Sequence, residues 1–268
     1  MSKSELEGRW ALILGASSGF GAATSRAMAK AGMNIFGVHL DPRSRLPKAK
    51  EVIADIEATG SKAVFFNTNA AAERKRARVL DRIEETLADD PAGHIHFMLH
   101  SLAFGSLLPF IAEDPDEAVS ESRMEMTLRV MAHTLVYWVQ DLVRRDLLSQ
   151  GSRVYALSSS GAERVAPNYG AVSAAKAALE SHMRQLTLEV GPRGIAVNCL
   201  RPGVTDTPAL RAIPGHEGYL EEALRRNPQH RLTTTEDVAK TLVALADPAL
   251  TWISGAVIPV DGGEIIVG

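Results

Sequence analysis

Short apolar runs alternate with amphipathic stretches along nearly the whole chain. Residues 9–14, 34–40, 63–67, 95–99, 153–157, 195–200 and 252–260 are compact apolar segments bounded by polar or glycine-rich residues. Runs of that length predict seven buried strands. Residues 22–31, 48–59, 73–87, 124–148 and 234–245, and a stretch ending near 190, carry apolar positions three and four apart and predict helices. In 124–148 the stripe is Met124, Leu128, Met131, Leu135, Trp138 and Leu142. Residues 235–238, Thr-Glu-Asp-Val, give the last helix an N-cap hydroxyl and early acids. Strand and helix in strict alternation predict an α/β fold, a doubly wound parallel sheet with helices on both faces. No linker divides the chain, so residues 1–268 read as one domain.

The glycines locate the first ligand contact. Gly15-Ala-Ser17-Ser18-Gly19-Phe20-Gly21 lies directly between the first strand and the first helix. Glycine lets the backbone turn tightly and lets a pyrophosphate approach, and a helix N-terminus offers amides and partial positive charge. The second strand ends where an adenosine ribose would lie, a place where an acid suits a 2′-hydroxyl and an arginine a 2′-phosphate. His39 stands there, with Asp41, Arg43 and Arg45 next. That order favours NADPH over NADH. Asn69 and Ala70 follow the third strand, where the asparagine could meet the adenine amine. Ser101, Leu102 and Ala103 follow the fourth, at the crevice where strand order reverses. Pro202, Gly203, Val204, Thr205 and Thr207 leave the sixth, and the two threonines with local amides could hold a carboxamide. Residues 209–231 are charged and broken by proline, long enough for a lid over a substrate.

Composition narrows the rest. With 46% hydrophobic and 23% charged residues and a net charge of -3, the chain is ordinary in make-up and unsuited to nucleic acid. Its single cysteine, Cys199, can form no internal disulfide. His94, His96 and His100 lack a carboxylate or cysteine at ligand spacing, so no metal site is expected. No apolar run approaches the ~18 residues of a membrane span, and a cytoplasmic location is the default expectation.

The candidate chemistry lies at 158–176, from Ser158-Ser159-Ser160 through Tyr169 to Lys176. Seven residues are just under two helical turns, which predicts the phenol and the ammonium on one face, beside hydroxyls at a strand end.

The glycine turn 15–21, the Pro202-Gly203 turn, the closing Val260-Asp-Gly-Gly263 and Lys176 together resemble the short-chain dehydrogenase/reductase family. The resemblance spans nearly the whole chain. It implies a seven-stranded Rossmann sheet, a nicotinamide cofactor and a homotetramer. Most members carry a tyrosine four residues before the lysine and an asparagine on the preceding helix; Val172 and Met131 stand in those places. Tyr169 seven before Lys176, the run Gly161-Ala-Glu-Arg-Val-Ala-Pro-Asn168, and His100-Ser101 are instead similar to the enoyl-acyl-carrier-protein reductase branch. Ser159 stands where typical bacterial members of that branch carry a second tyrosine, as in its NADPH-preferring variants. The implied reaction is NADPH-dependent reduction of an enoyl thioester in fatty-acid biosynthesis. Tyr169 would donate to the developing enolate oxygen, Lys176 would hold the nicotinamide ribose, and Ser159 would orient substrate or cofactor. An acyl carrier protein could present the substrate, with Arg211, Arg225 and Arg226 near the lid as its contacts. A carbonyl or alcohol dehydrogenase with a displaced tyrosine and a non-catalytic nucleotide sensor are the alternatives.

Overall fold

The computed structural model describes residues 5–267. Seven strands form one parallel sheet in the order β3-β2-β1-β4-β5-β6-β7. They are β1 (Trp10–Leu14), β2 (Asn34–His39), β3 (Ala63–Asn67), β4 (Ile95–His100), β5 (Arg153–Leu157), β6 (Ala196–Pro202) and β7 (Val257–Val260). β1, β2, β4 and β5 are buried at every position, as expected where helices cover both faces. The helices are α1 (Gly19–Lys30), α2 (Leu46–Glu57), α3 (Glu73–Leu87), α4 (Glu121–Leu128), α5 (Thr134–Arg144), α6 (Gly170–Val190), α7 (Pro208–Arg211), α8 (His216–Arg226) and α9 (Thr235–Leu245).

Two apolar layers sandwich the sheet. Leu80 and Ile83 of α3, Leu135 and Trp138 of α5, and Leu179 and Met183 of α6 pack on one face. Met28 of α1, Ile56 of α2, and Val238 and Leu242 of α9 pack on the other. β1 pairs with both β2 and β4, so the chain reverses its winding direction between β1 and β4. Strand C-termini flanking such a point leave a crevice no helix covers. The turns after β1, β4, β5 and β6 all open there. No helix among the described residues is long and apolar enough to cross a membrane.

Helix and strand ends shift by one to three residues at several elements, residues 209–231 hold α7 and α8, and three differences bear on the site. The helix predicted over 124–148 is interrupted by a π-helical turn, Arg129–His133, and ends at Arg144. An extra residue in one turn shifts the apolar stripe, yet Met131, Leu135, Trp138 and Leu142 all remain buried. The last strand begins at Val257 rather than 252, because side-chain bonds interrupt the backbone ladder over 253–256. Asn198 donates to the Ile253 carbonyl (2.8 Å) and accepts from the Ala256 amide (3.1 Å). Trp252 is exposed. Third, α6 starts at Gly170, so Tyr169 is its N-cap residue, outside the helix proper. The face shared with Lys176 is therefore not a face of regular helix.

Candidate active site

The turn after β1 is shaped so that only glycine fits. Gly15 has φ +91°, and a Cβ there would lie 2.5 Å from the Ser101 carbonyl oxygen. A Cβ on Gly21 would lie 2.1 Å from the Gly15 carbonyl oxygen, so α1 begins hard against the turn. Ser18 is the N-cap of α1, but its hydroxyl makes no capping bond. The Ser17 amide of the turn and the Gly19 and Phe20 amides of the first turn of α1 thus offer a cradle for a pyrophosphate. A Cβ on Gly19 would lie 3.8 Å from the Thr207 side chain, across the crevice. The chain fits a dinucleotide on this observation alone.

At the β2 end, His39 is buried and its Nδ1 lies 2.8 Å from the Asp41 carboxylate. Asn67 of β3 clamps the Asp41 backbone from both sides, accepting from its amide (2.9 Å) and donating to its carbonyl (3.0 Å). Arg43 and Arg45 form an exposed turn beside them. Asn69 uses its side-chain oxygen on the Ala71 amide (2.9 Å), and the Ala70 carbonyl accepts from Trp138 (3.0 Å). The asparagine's amino group is what remains for an adenine.

After β6, Gly203 has no room for a side chain: a Cβ would fall 2.4 Å from the Thr233 hydroxyl oxygen and 2.7 Å from the Glu264 carboxylate. Glu264 accepts from the Val204 amide (3.0 Å), and burial pushes its carboxyl up. Thr205 donates to the Gly203 carbonyl (2.9 Å), and Thr207 caps α7.

Between these loops lies the turn after β5. Tyr169 swings back over it, so a Cβ on Gly161 would lie 2.4 Å from its ring. Its hydroxyl reaches Ser159 Oγ at 3.5 Å, the outer limit of a hydrogen bond. Burial raises the phenol, a nearby Ser159 works against that, and Tyr219 of α8 adds to it. Tyr169 therefore keeps its proton and is a donor. Lys176 is fully buried and donates to the Leu157 carbonyl (2.6 Å). Burial pulls it down to about 8, against Cys199 and Glu180, which raise it. Tyr169 and Lys176 approach the same turn from two sides without touching each other.

Val172 and Met131 are both buried, together with Ala175, in a small apolar cluster that Tyr169 joins. A Cβ on Gly105, in the loop after β4, would lie 3.1 Å from Met131 and 3.2 Å from Val172. The loop is pressed onto these two side chains. The places that would hold the usual tyrosine and asparagine are thus dry and packed.

The sequence reading missed Tyr219, Glu264, Phe110 and Glu180. A Cβ on Gly170 would lie 2.5 Å from the Phe110 ring, which rims the crevice half-exposed. Only the apolar run Leu107-Leu-Pro-Phe-Ile111 in the loop after β4 was a visible signal.

A family model described as enoyl-(acyl carrier protein) reductase matches residues 15–264. A short-chain type dehydrogenase/reductase from Picea abies is 28% identical over 97% of this chain and 93% of its own. The chain belongs to the short-chain dehydrogenase/reductase family. Members of this family are oxidoreductases whose fold binds a nicotinamide cofactor. A 1-cyclohexenylcarbonyl-CoA reductase from Streptomyces collinus is 26% identical, covering 96% of this chain and 86% of the relative. A short chain dehydrogenase from Burkholderia cenocepacia, solved with NADP, is 27% identical with a TM-score of 0.80, covering 97% of this chain and 99% of that one.

Proposed function

We propose that this short-chain dehydrogenase/reductase reduces the α,β double bond of an enoyl thioester with NADPH. The observation that carries the reading is the dry Val172–Met131 cluster with Tyr169 beside it. Ketone reduction needs a proton donor at the oxygen on the carbon that receives hydride. In an enoyl thioester, hydride arrives at the β-carbon and negative charge gathers on the carbonyl oxygen, further along the substrate. A donor must stand where charge develops. Tyr169, displaced from the Val172 position and still protonated, stands further out. The reduced nicotinamide supplies the hydride. Lys176 holds the ribose beside it and lends positive field, and Ser159 orients the Tyr169 hydroxyl.

Two features support NADPH. The Asp41 carboxylate is already engaged by His39 Nδ1 (2.8 Å). Arg43 and Arg45 stand exposed for a 2′-phosphate. The apolar rim supports an acyl chain: Phe110, packed beside Gly170, and the next residue Ile111 are both more than half exposed. A carrier protein as donor of that chain fits less surface than the sequence suggested. Arg226 is turned inward to the Val267 carbonyl (2.6 Å), leaving Arg211 and Arg225, each paired with a neighbouring acid, at the exposed face. A homotetramer, the family's implied assembly, is readable by light scattering.

Crotonyl-thioester-dependent oxidation of NADPH is the test. Tyr169→Phe should lower kcat by about 100-fold or more with little change in coenzyme affinity, the loss expected of one transition-state donor. Robust turnover in that variant removes Tyr169 from the chemistry. Turnover of a 3-oxo thioester in place of the enoyl one replaces the reading with carbonyl reduction.

A further inference from the structure

Beneath the active-site turn lies a polar cluster that the proposed reaction does not use. Glu180 is buried on α6, one turn beyond Lys176, in the interior of the molecule. Its Oε1 accepts from Ser158 Oγ at 2.5 Å. Ser158 and Leu157 are consecutive residues at the end of β5, and the Leu157 carbonyl is the partner of Lys176. One dipeptide therefore fixes the positions of both charges, while the two side chains are each bonded elsewhere.

The groups facing Lys176 from other elements supply no negative charge. His100, at the end of β4, is fully buried, and neither ring nitrogen finds a hydrogen-bond partner among the described residues. Burial first, and Lys176 second, push it down to about 3, so it stays neutral. The Val130 and His100 carbonyls pull weakly the other way. Cys199 of β6, the first of the two groups that raise Lys176, is itself pushed up to about 12 by burial, with Glu180 next, so near the lysine midpoint its thiol is neutral and the carboxyl group of Glu180 is what remains. An isolated ammonium in such a place loses its proton readily. Glu180 is the carboxylate that opposes this.

We propose that Glu180 is a positioning residue: a counter-charge, held in place by Ser158, that keeps the buried Lys176 ammonium charged beneath the coenzyme site. This rests on Lys176 acting there as a cation.

The test reads the lysine directly. Protein carrying 13Cε-lysine is titrated by NMR, and the Lys176 resonance is identified by its absence in Lys176→Met. In the wild type the resonance should titrate near 8, matching the position set by burial. In Glu180→Gln, whose amide oxygen can still accept from Ser158, the midpoint should fall by about one pH unit or more. Glu180→Asp, which keeps the charge, should restore most of it. In wild-type protein, which needs no variant to fold, the Glu180 carboxyl carbon should show a step at the lysine midpoint. Activity should follow: kcat/KM of Glu180→Gln falls roughly 3- to 10-fold near pH 7.5 and returns to within about two-fold near pH 6. An unmoved midpoint in Glu180→Gln, or no carboxyl step in the wild type, overturns the proposal. Full activity in Lys176→Met would instead overturn the role of Lys176 itself, whatever the titration shows.

Discussion

Lys176 is buried, and the Leu157 carbonyl accepts from its ammonium. A fall from 10.5 to about 8 means the charged form is disfavoured in the fold. At ~1.4 kcal/mol per pH unit this amounts to about 3 kcal/mol. The sign follows from a depressed folded value: the penalty is complete below about 8, shrinks between 8 and 10.5, and is gone above. Lys176→Met removes that penalty but leaves the Leu157 carbonyl without its donor, which costs about 1–2 kcal/mol. The variant should be inactive yet melt about 2–6 °C higher at pH 7, with the difference reversing sign by pH 10.5, where the lysine penalty is gone and only the unpaired carbonyl remains. Melting curves at the two pH values check this. Tyr169 and Lys176 were legible because spacing and type are sequence properties. Glu180 was not, because a glutamate four residues from a lysine on a helix reads as a solvated pair. Its burial depends on where β4, β5 and β6 end, which no local pattern encodes. The His39–Asp41 pair was half legible: the residues stood out, but the turn that joins them did not.

α8 is tied down by the residues that follow the last strand. Arg226 donates to the Val267 carbonyl through both Nε (3.1 Å) and Nη2 (2.6 Å), and reaches the Glu264 carbonyl at 3.5 Å. Arg164, in the turn that carries Tyr169, donates to the Ile265 carbonyl. The short segment 264–267 thus holds the proposed lid, the tyrosine turn and, through Glu264, the Val204 amide. Arg226→Met keeps the side chain's apolar stem and removes the latch. It should raise KM for an acyl thioester about 5- to 20-fold, as expected for the loss of charged hydrogen bonds worth about 1–2 kcal/mol, while changing kcat by less than about three-fold. Steady-state kinetics with a coenzyme A ester, free of any carrier, measures it. The sequence showed a proline-broken, charged segment over 209–231 but not its anchoring, since backbone carbonyls are anonymous in a sequence. The π-helical turn was hidden for a related reason: it changes the register of a helix without changing which residues are apolar.

The whole sheet was the most legible feature. Buried parallel strands are continuous apolar runs, and three of the predicted spans, 63–67, 73–87 and 153–157, coincide with β3, α3 and β5. The strand order puts every predicted cofactor contact at the C-terminal edge of one parallel sheet, so coenzyme binding should stabilise the molecule as a unit. At about 100 times its Kd a ligand contributes about 2.7 kcal/mol, or roughly 5–10 °C for a domain of this size. NADPH should give that rise at a concentration where NADH gives clearly less, and Arg43→Ala should narrow the gap. Equal shifts from both coenzymes would contradict the proposed preference. The tail latch also constrains how substrate range could be re-tailored. Grafting a relative's helix in place of α8 would leave a foreign side chain facing the Val267 carbonyl, and the loss would be felt at Val204 and Tyr169 as well. A working chimera has to exchange residues 209–231 and 264–267 together.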